Sequence, residues 1–362
     1  MLIEKEGIRA LPNYSVSKTI EEVCDEYGLT EAVYLASNEN PLGCSRAVTD
    51  VVRNAADLHR YPDGDGRHLK AALAAHLNRH CDHIFLGNGS NEVLECAAKA
   101  FVADQDEVLI SAHSFAMYPI LGRLFGGKVV EVPMNHWRVD LDAMADAVSS
   151  KTKLIYLSNI NNPTGVALNR PEFQSFMTQV PDTALVVVDE AYIEFSQPNQ
   201  SFLADVDNWP NLLISRTFSK AYGLAGFRVG YGLASKAIVA ILEKVRQPFN
   251  INALALKAAV AAVQDQTFIQ RTVQHTQLQR QALVPFLEQN NFQVLPSEAN
   301  FICYKPGAEA GEHYHFLLSQ GVIVRPLKSY GMHEWLRVSI GTESENQAFV
   351  DAVKQWKANQ YE

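Results

Sequence analysis

The stretch Ala184-Leu185-Val186-Val187-Val188-Asp189-Glu190-Ala191-Tyr192 is apolar through its first five residues and then turns acidic. A β-branched run without polar alternation is the pattern of a strand covered on both faces, as in a mostly parallel sheet. Outward from it, similar runs occupy Glu107 to Ile110, Lys128 to Val132, Leu154 to Leu157, Leu212 to Ser215 and Val229 to Leu233. Between runs lie longer segments of helical composition, among them Lys70 to Leu77 and Asn91 to Phe101. Strands alternating with helices predict βαβ units, and hence an α/β fold whose large domain has a mostly parallel sheet sandwiched by helices.

Beyond Ala253 to Val263, which reads as a helix with an apolar face, the character changes. From about Phe268 a Gln-rich amphipathic helix leads to strand candidates at Phe292 to Leu295, Phe301 to Tyr304, Val322 to Arg325 and Trp335 to Ile340. These predict a smaller α+β domain. With 362 residues available, the expected division is an N-terminal arm over 1–30, a large domain over 31–245 and a small C-terminal domain over 246–362. The arm is expected to pack on the small domain or on a partner subunit.

Lys and Arg number 31 against 40 Asp and Glu, a net charge of −9 that disfavours a general nucleic-acid or anionic-membrane role. The N-terminus is charged and lacks an apolar signal core, so the expected location is the cytoplasm. Five cysteines without a Cys-x-x-Cys pair suggest reduced structural thiols. His76, His80 and His83 could imitate a metal cluster, but no carboxylate pattern completes it and no metal is expected.

In open α/β sheets, ligands collect at the carboxyl ends of the strands. Asp189 stands at such an end, where a carboxylate needs a cation or donor; alone, it also reads as the cap of the next turn. The run ending at Ser215 continues as Arg216-Thr217-Phe218-Ser219-Lys220-Ala221-Tyr222-Gly223-Leu224-Ala225-Gly226-Phe227-Arg228. Desolvation of Lys220 in this apolar, Gly-rich segment would free its amine to attack an aldehyde; the plain alternative is an ion-pair partner. Asn162-Pro163-Thr164-Gly165 is a turn after a buried strand. Leu86-Gly87-Asn88-Gly89-Ser90-Asn91-Glu92 opens a helix whose free N–H groups suit an anion, or else Ser90 simply caps that helix.

Taken together and in order, Asn162-Pro163-Thr164-Gly165, Asp189-Glu190-Ala191-Tyr192, and Ser219-Lys220 with Arg228 eight residues on resemble the active-site set of the fold type I pyridoxal-phosphate-dependent aminotransferases. Leu35-Ala36-Ser37-Asn38-Glu39-Asn40-Pro41-Leu42-Gly43 and Arg60-Tyr61-Pro62-Asp63-Gly64 narrow the resemblance to the histidinol-phosphate aminotransferase subfamily, over about Tyr14 to Gly341. It implies that Lys220 carries pyridoxal 5′-phosphate as a Schiff base and shuttles the substrate proton, that Asp189 pairs with the pyridine nitrogen, and that Tyr192 and Asn162 bond the ring oxygen. The cofactor phosphate would meet Ser90, Asn91, Ser219 and Arg228. Phe115 would stack on the ring where family members usually place tyrosine, and Asn91 stands where many have aspartate.

Tyr61 is implied to reach the neighbouring subunit's cofactor phosphate, making a homodimer with shared active sites. Arg337 and Arg325 are the implied clamps for substrate anions, with Tyr14 closing from the arm. The expected reaction is transamination between histidinol phosphate and 2-oxoglutarate, giving imidazole acetol phosphate and glutamate. Alternatives are an aromatic-amino-acid aminotransferase of the same subfamily, a decarboxylase of a phosphorylated amino acid, and a non-catalytic phosphate-binding module.

Overall fold

The computed structural model describes residues 3–4, 6–9, 11, 17–56, 59–197, 200–307 and 310–360. Its main sheet has seven strands in the order Ile84–Gly87, Gly230–Ala234, Leu212–Thr217, Leu185–Asp189, Thr152–Ser158, Glu107–Ser111 and Lys128–Val132. Only Gly230–Ala234 runs against its neighbours. The unbroken apolar runs follow from burial of both faces. Val186 and Val188 enter one core with Phe173 and Phe176 of the helix Arg170–Gln179, while Leu185 and Val187 enter another with Val93 and Ala97 of the helix Ser90–Phe101. Alternate residues of one strand thus serve two helical layers, and a polar residue on either face would be desolvated.

The second body is built on a four-stranded antiparallel sheet ordered Arg325–Pro326, Leu336–Ser339, Phe301–Lys305 and Gln293–Val294. Leu283 and Leu287 of the helix Gln266–Gln289, Leu317 of Ala310–Ser319, and Phe349 and Val353 of Glu343–Asn359 cover its core. The N-terminal segment joins this body. Val33–Tyr34 pairs in parallel with Val322–Ile323, and the helix Ile20–Tyr27, capped reciprocally by Thr19 and Glu22, packs on Ala310–Ser319.

The helix Ala253–Gln264 packs against Arg46–Arg53 and Arg67–Leu77, with Ala255, Ala258 and Ala259 in the large core. These contacts attach Ala253–Gln264 to the large body. Three adjacent parallel strands, Thr152–Ser158, Leu185–Asp189 and Leu212–Thr217, end on the same side, with Ser158 opposite Asp189 and Asp189 opposite Ser215. Their carboxyl ends therefore bring the turns after Ser158, Asp189 and Thr217 to one place.

Candidate active site

That place is a cavity of about 320 Å³ between the large sheet and the small domain. Lys220, three residues past the strand Leu212–Thr217, points its Nζ into it and donates to the Ser37 carbonyl at 2.9 Å. Burial pushes the Lys220 pKa down to about 7, and the positive charge of Arg337 acts in the same direction. Asp189 faces the same space. Its Oδ2 accepts from the Tyr118 hydroxyl at 3.1 Å, whereas its Oδ1 is buried without a partner. Burial raises the Asp189 carboxyl to about 7, against the lowering effect of the Tyr118 hydrogen bond. Tyr192 lines the cavity with its hydroxyl accepting from Asn38 Nδ2 at 3.1 Å. Desolvation lifts this phenol to about 12, although Arg337 pulls it the other way.

An anion cradle closes another side. The helix Ser90–Phe101 begins with Gly89 as its N-cap, at φ 76°, so Ser90 is the first helical residue and not the cap the sequence suggested. A β-carbon on Gly89 would sit 2.6 Å from Arg228 Nη2, so glycine is needed both for the positive φ and for the approach of the guanidinium. Arg228 Nη1 also contacts Ser219 Oγ at 3.4 Å and donates to Ala225 O at 3.1 Å. Free N–H groups of a first helical turn beside an arginine and a serine form a site for a phosphate-sized anion.

Opposite, Arg337 donates to the Asn162 side-chain carbonyl and, at 2.7 Å, to Ala36 O, while its Nε is buried without a partner. Arg325 faces Arg337 directly across neighbouring antiparallel strands. Like charges in cross-strand register repel unless an anion lies between them.

A family model for aminotransferase class I and II matches residues 30–353. The chain belongs to that aminotransferase family. It is 46% identical over 357 residues to histidinol-phosphate aminotransferase 2 of Ralstonia nicotianae and 44% identical over 351 residues to histidinol-phosphate aminotransferase 1 of Idiomarina loihiensis, with 96% of each chain covered in both cases. The crystal structure of histidinol-phosphate aminotransferase from Sinorhizobium meliloti in complex with pyridoxal 5′-phosphate superposes with a TM-score of 0.89 at 28% identity, over 99% of this chain and 98% of that one. The fold is that of the fold type I aminotransferases.

This aminotransferase's residues fit that cofactor. Asp189 Oδ1 lacks the positive partner a protonated ring nitrogen supplies, the Gly89 cradle suits a phosphate, and Lys220 offers an amine near neutrality. Of the residues singled out in the sequence, Lys220, Asp189, Tyr192, Asn162, Ser90, Asn91, Phe115, Ser219, Arg228, Arg325 and Arg337 all line the cavity. Tyr61 does not. It lies on the surface, 84% exposed and stacked on Phe249 at 4.7 Å. Tyr14 falls outside the described residues.

Sequence reasoning assigned no role to Tyr118, Ser37, Asn38, Thr217 or Tyr330, of which all but Tyr118 line the cavity. Ser37 and Asn38 lay within a quoted motif and carried a signal; nothing in the residues around Tyr118 marks its hydroxyl. The described residues include no group of three or more His, Cys, Asp or Glu able to hold a metal ion, and no helix among them is long and apolar enough to cross a membrane.

Proposed function

We infer that the chain is a pyridoxal-phosphate-dependent aminotransferase that exchanges an amino group between histidinol phosphate and 2-oxoglutarate in histidine biosynthesis. One observation carries this reading: a desolvated amine, a buried carboxylate oxygen without a partner, and an anion cradle meet in one cavity. The named relatives from Ralstonia nicotianae and Idiomarina loihiensis supply the substrate class. When bound, the cofactor supplies an aldehyde for amines and an electron sink for the charge left at the substrate Cα.

The chain's own groups do the rest. Lys220 Nζ, with ammonium and amine forms both populated near pH 7, would take the proton that leaves the substrate Cα and deliver it to the carbon that was the cofactor's aldehyde. Asp189 Oδ1 would pair with the ring nitrogen, and Tyr192 and Asn162 with the ring oxygen. Ser90, Asn91, Ser219 and Arg228 would hold the phosphate, and Phe115 would stack on the ring. Arg337, fixed by Asn162 and Ala36, and Arg325 across from it would hold the glutamate carboxylate in one half-reaction and the histidinol phosphate phosphoryl group in the other.

Side-by-side kcat/KM values for histidinol phosphate and phenylalanine test the substrate. The expected preference is for histidinol phosphate, because its phosphoryl group carries more charge and more acceptor oxygens with which to engage both Arg325 and Arg337 than the single carboxylate of phenylalanine. A preference for phenylalanine overturns the substrate assignment and favours an aromatic-amino-acid aminotransferase.

A homodimer with shared active sites, in the cytoplasm, completes the proposal. Its support is the exposed pair of Tyr61 and Phe249 beside Leu256 and Val260, an aromatic and aliphatic surface that a second copy would cover. Sedimentation of the native protein should give twice the chain mass; a monomer with full activity would remove this part.

A further inference from the structure

We propose that Tyr118 is a positioning residue for Asp189, selecting the carboxylate oxygen that faces the cavity and keeping the shared proton on the cofactor's ring nitrogen. The inference rests on the functional reading above but concerns a residue outside the cavity lining.

Tyr118 lies in the first turn of the helix Met117–Leu124 and is fully buried. Its ring stacks on Tyr156 with centroids 4.8 Å apart and planes 8° apart, and it meets Phe115 edge-on at 5.7 Å. These contacts fix the phenol so that its hydroxyl reaches Asp189 Oδ2 at 3.1 Å. The neighbouring phenol cannot substitute, because the Tyr156 hydroxyl donates to Leu94 O at 2.7 Å. With Oδ2 occupied, Oδ1 has no partner at full hydrogen-bond geometry, although the Ala191 backbone N–H also acts on the carboxylate, and Asp189 lines the cavity. A phenylalanine would fill the same volume and stack equally well, so packing alone does not account for the hydroxyl.

The chemistry follows from where one proton resides. A hydrogen bond donated to a carboxylate stabilises its charged form. In the pair formed by Asp189 and a pyridine nitrogen, that favours carboxylate and pyridinium over carboxylic acid and neutral pyridine. The competition is close here because burial lifts the Asp189 carboxyl to about 7 in the protein alone. Of the charged groups around it, Lys220 favours the carboxylate and Glu190 opposes it. Burial pushes the Tyr118 phenol well above its ordinary pKa, so Tyr118 stays a donor at neutral pH, and the adjacent Tyr156 phenol likewise stays neutral. No proton leaves Tyr118; its O–H only biases which member of the pair holds theirs.

The test is Tyr118→Phe in the holoenzyme, loaded with pyridoxal phosphate carrying ¹⁵N in the ring and observed by NMR near pH 7.5, with Tyr156→Phe as the control. In the native protein the ring nitrogen should resonate as pyridinium. In Tyr118→Phe its signal should move toward neutral pyridine, kcat should fall about tenfold and KM should stay within about twofold, as loss of one hydrogen bond to a charged group implies. Tyr156→Phe keeps the stack and the Asp189 hydrogen bond, so its nitrogen signal should not move. An unaltered nitrogen signal in Tyr118→Phe, or the same displacement in Tyr156→Phe, overturns the assignment while leaving the aminotransferase reading intact. A native protein that takes up no pyridoxal phosphate overturns both.

Discussion

Asp189 in the large domain and His313 in the small one are both buried ionisable groups with a polar atom left unpartnered, yet they stand in opposite surroundings. His313 is enclosed by rings, with Phe292, Trp356 and Tyr304 centroids at 5.4, 5.2 and 6.0 Å, and its Nε2 meets the Tyr304 hydroxyl at 3.2 Å. Its Nδ1 and the nearby Trp356 Nε1 have no partner. Burial pushes its pKa down to about 3, and the Lys357 cation pushes the same way. Around Asp189, by contrast, Lys220, Arg228, Arg325 and Arg337 line the same open volume. A displaced pKa therefore records desolvation wherever it occurs. It marks function only where several such groups converge on space that a ligand can enter.

The comparison breaks if Asp189 behaves like a core residue. We expect Asp189→Asn to lower kcat by about 10²–10³-fold, as for loss of one preorganised charge at a reacting centre. The cofactor-free variant should nevertheless be more stable than the native protein at pH 8. The folded-state pKa of Asp189 is raised to about 7 from an ordinary 3.8, so between those values the folded chain holds a proton that the unfolded chain has released. Its contribution to stability is present below about pH 4 and is lost as pH rises through about 7. An amide carries no such cost, and Tm of the cofactor-free forms at pH 8 measures the difference. A cofactor-free variant that melts below the native protein would mean that the carboxylate is held for stability.

The same contrast explains what the chain disclosed in advance. Lys220 and Asp189 were legible because a charged residue straight after an apolar run is costly and strand ends are where ligands collect. The strands were legible because both faces are buried, leaving runs such as Leu185 to Val188 without polar interruption. Register was not. The facing of Arg325 and Arg337 depends on how two strands align, and nothing local to either segment encodes that. Tyr118 was passed over because an aromatic in an apolar helix start has the composition of a core residue, and its hydroxyl gains meaning only beside Asp189. Where one body ends and the next begins is hard to read locally for a related reason. Ala253–Gln264 has an apolar face whichever body it packs on, and only contacts with Arg46–Arg53 and Arg67–Leu77 assign it.

His313 sharpens the comparison from the other side with a smaller effect on stability and none on catalysis. Because its folded-state pKa lies below the ordinary value of 6.5, the folded protein keeps the ring neutral while the unfolded chain takes up a proton. The stability it contributes is complete above about pH 6.5 and declines as pH falls toward 3. The slope approaches about 1.4 kcal/mol per pH unit, so lowering the pH from 7.5 to 5 should remove about 2 kcal/mol through this residue. His313→Phe abolishes the titration and keeps a ring among Phe292, Tyr304 and Trp356. Its urea-unfolding free energy should therefore vary less with pH than that of the native protein, with kcat at pH 7.5 unchanged. The difference in slope is independent of whatever the substitution does to absolute stability, so parallel curves for the two proteins would show that His313 titrates in the fold as it does in the unfolded chain. Divergent curves with equal turnover would confirm that an ionisation displaced this far can belong wholly to packing.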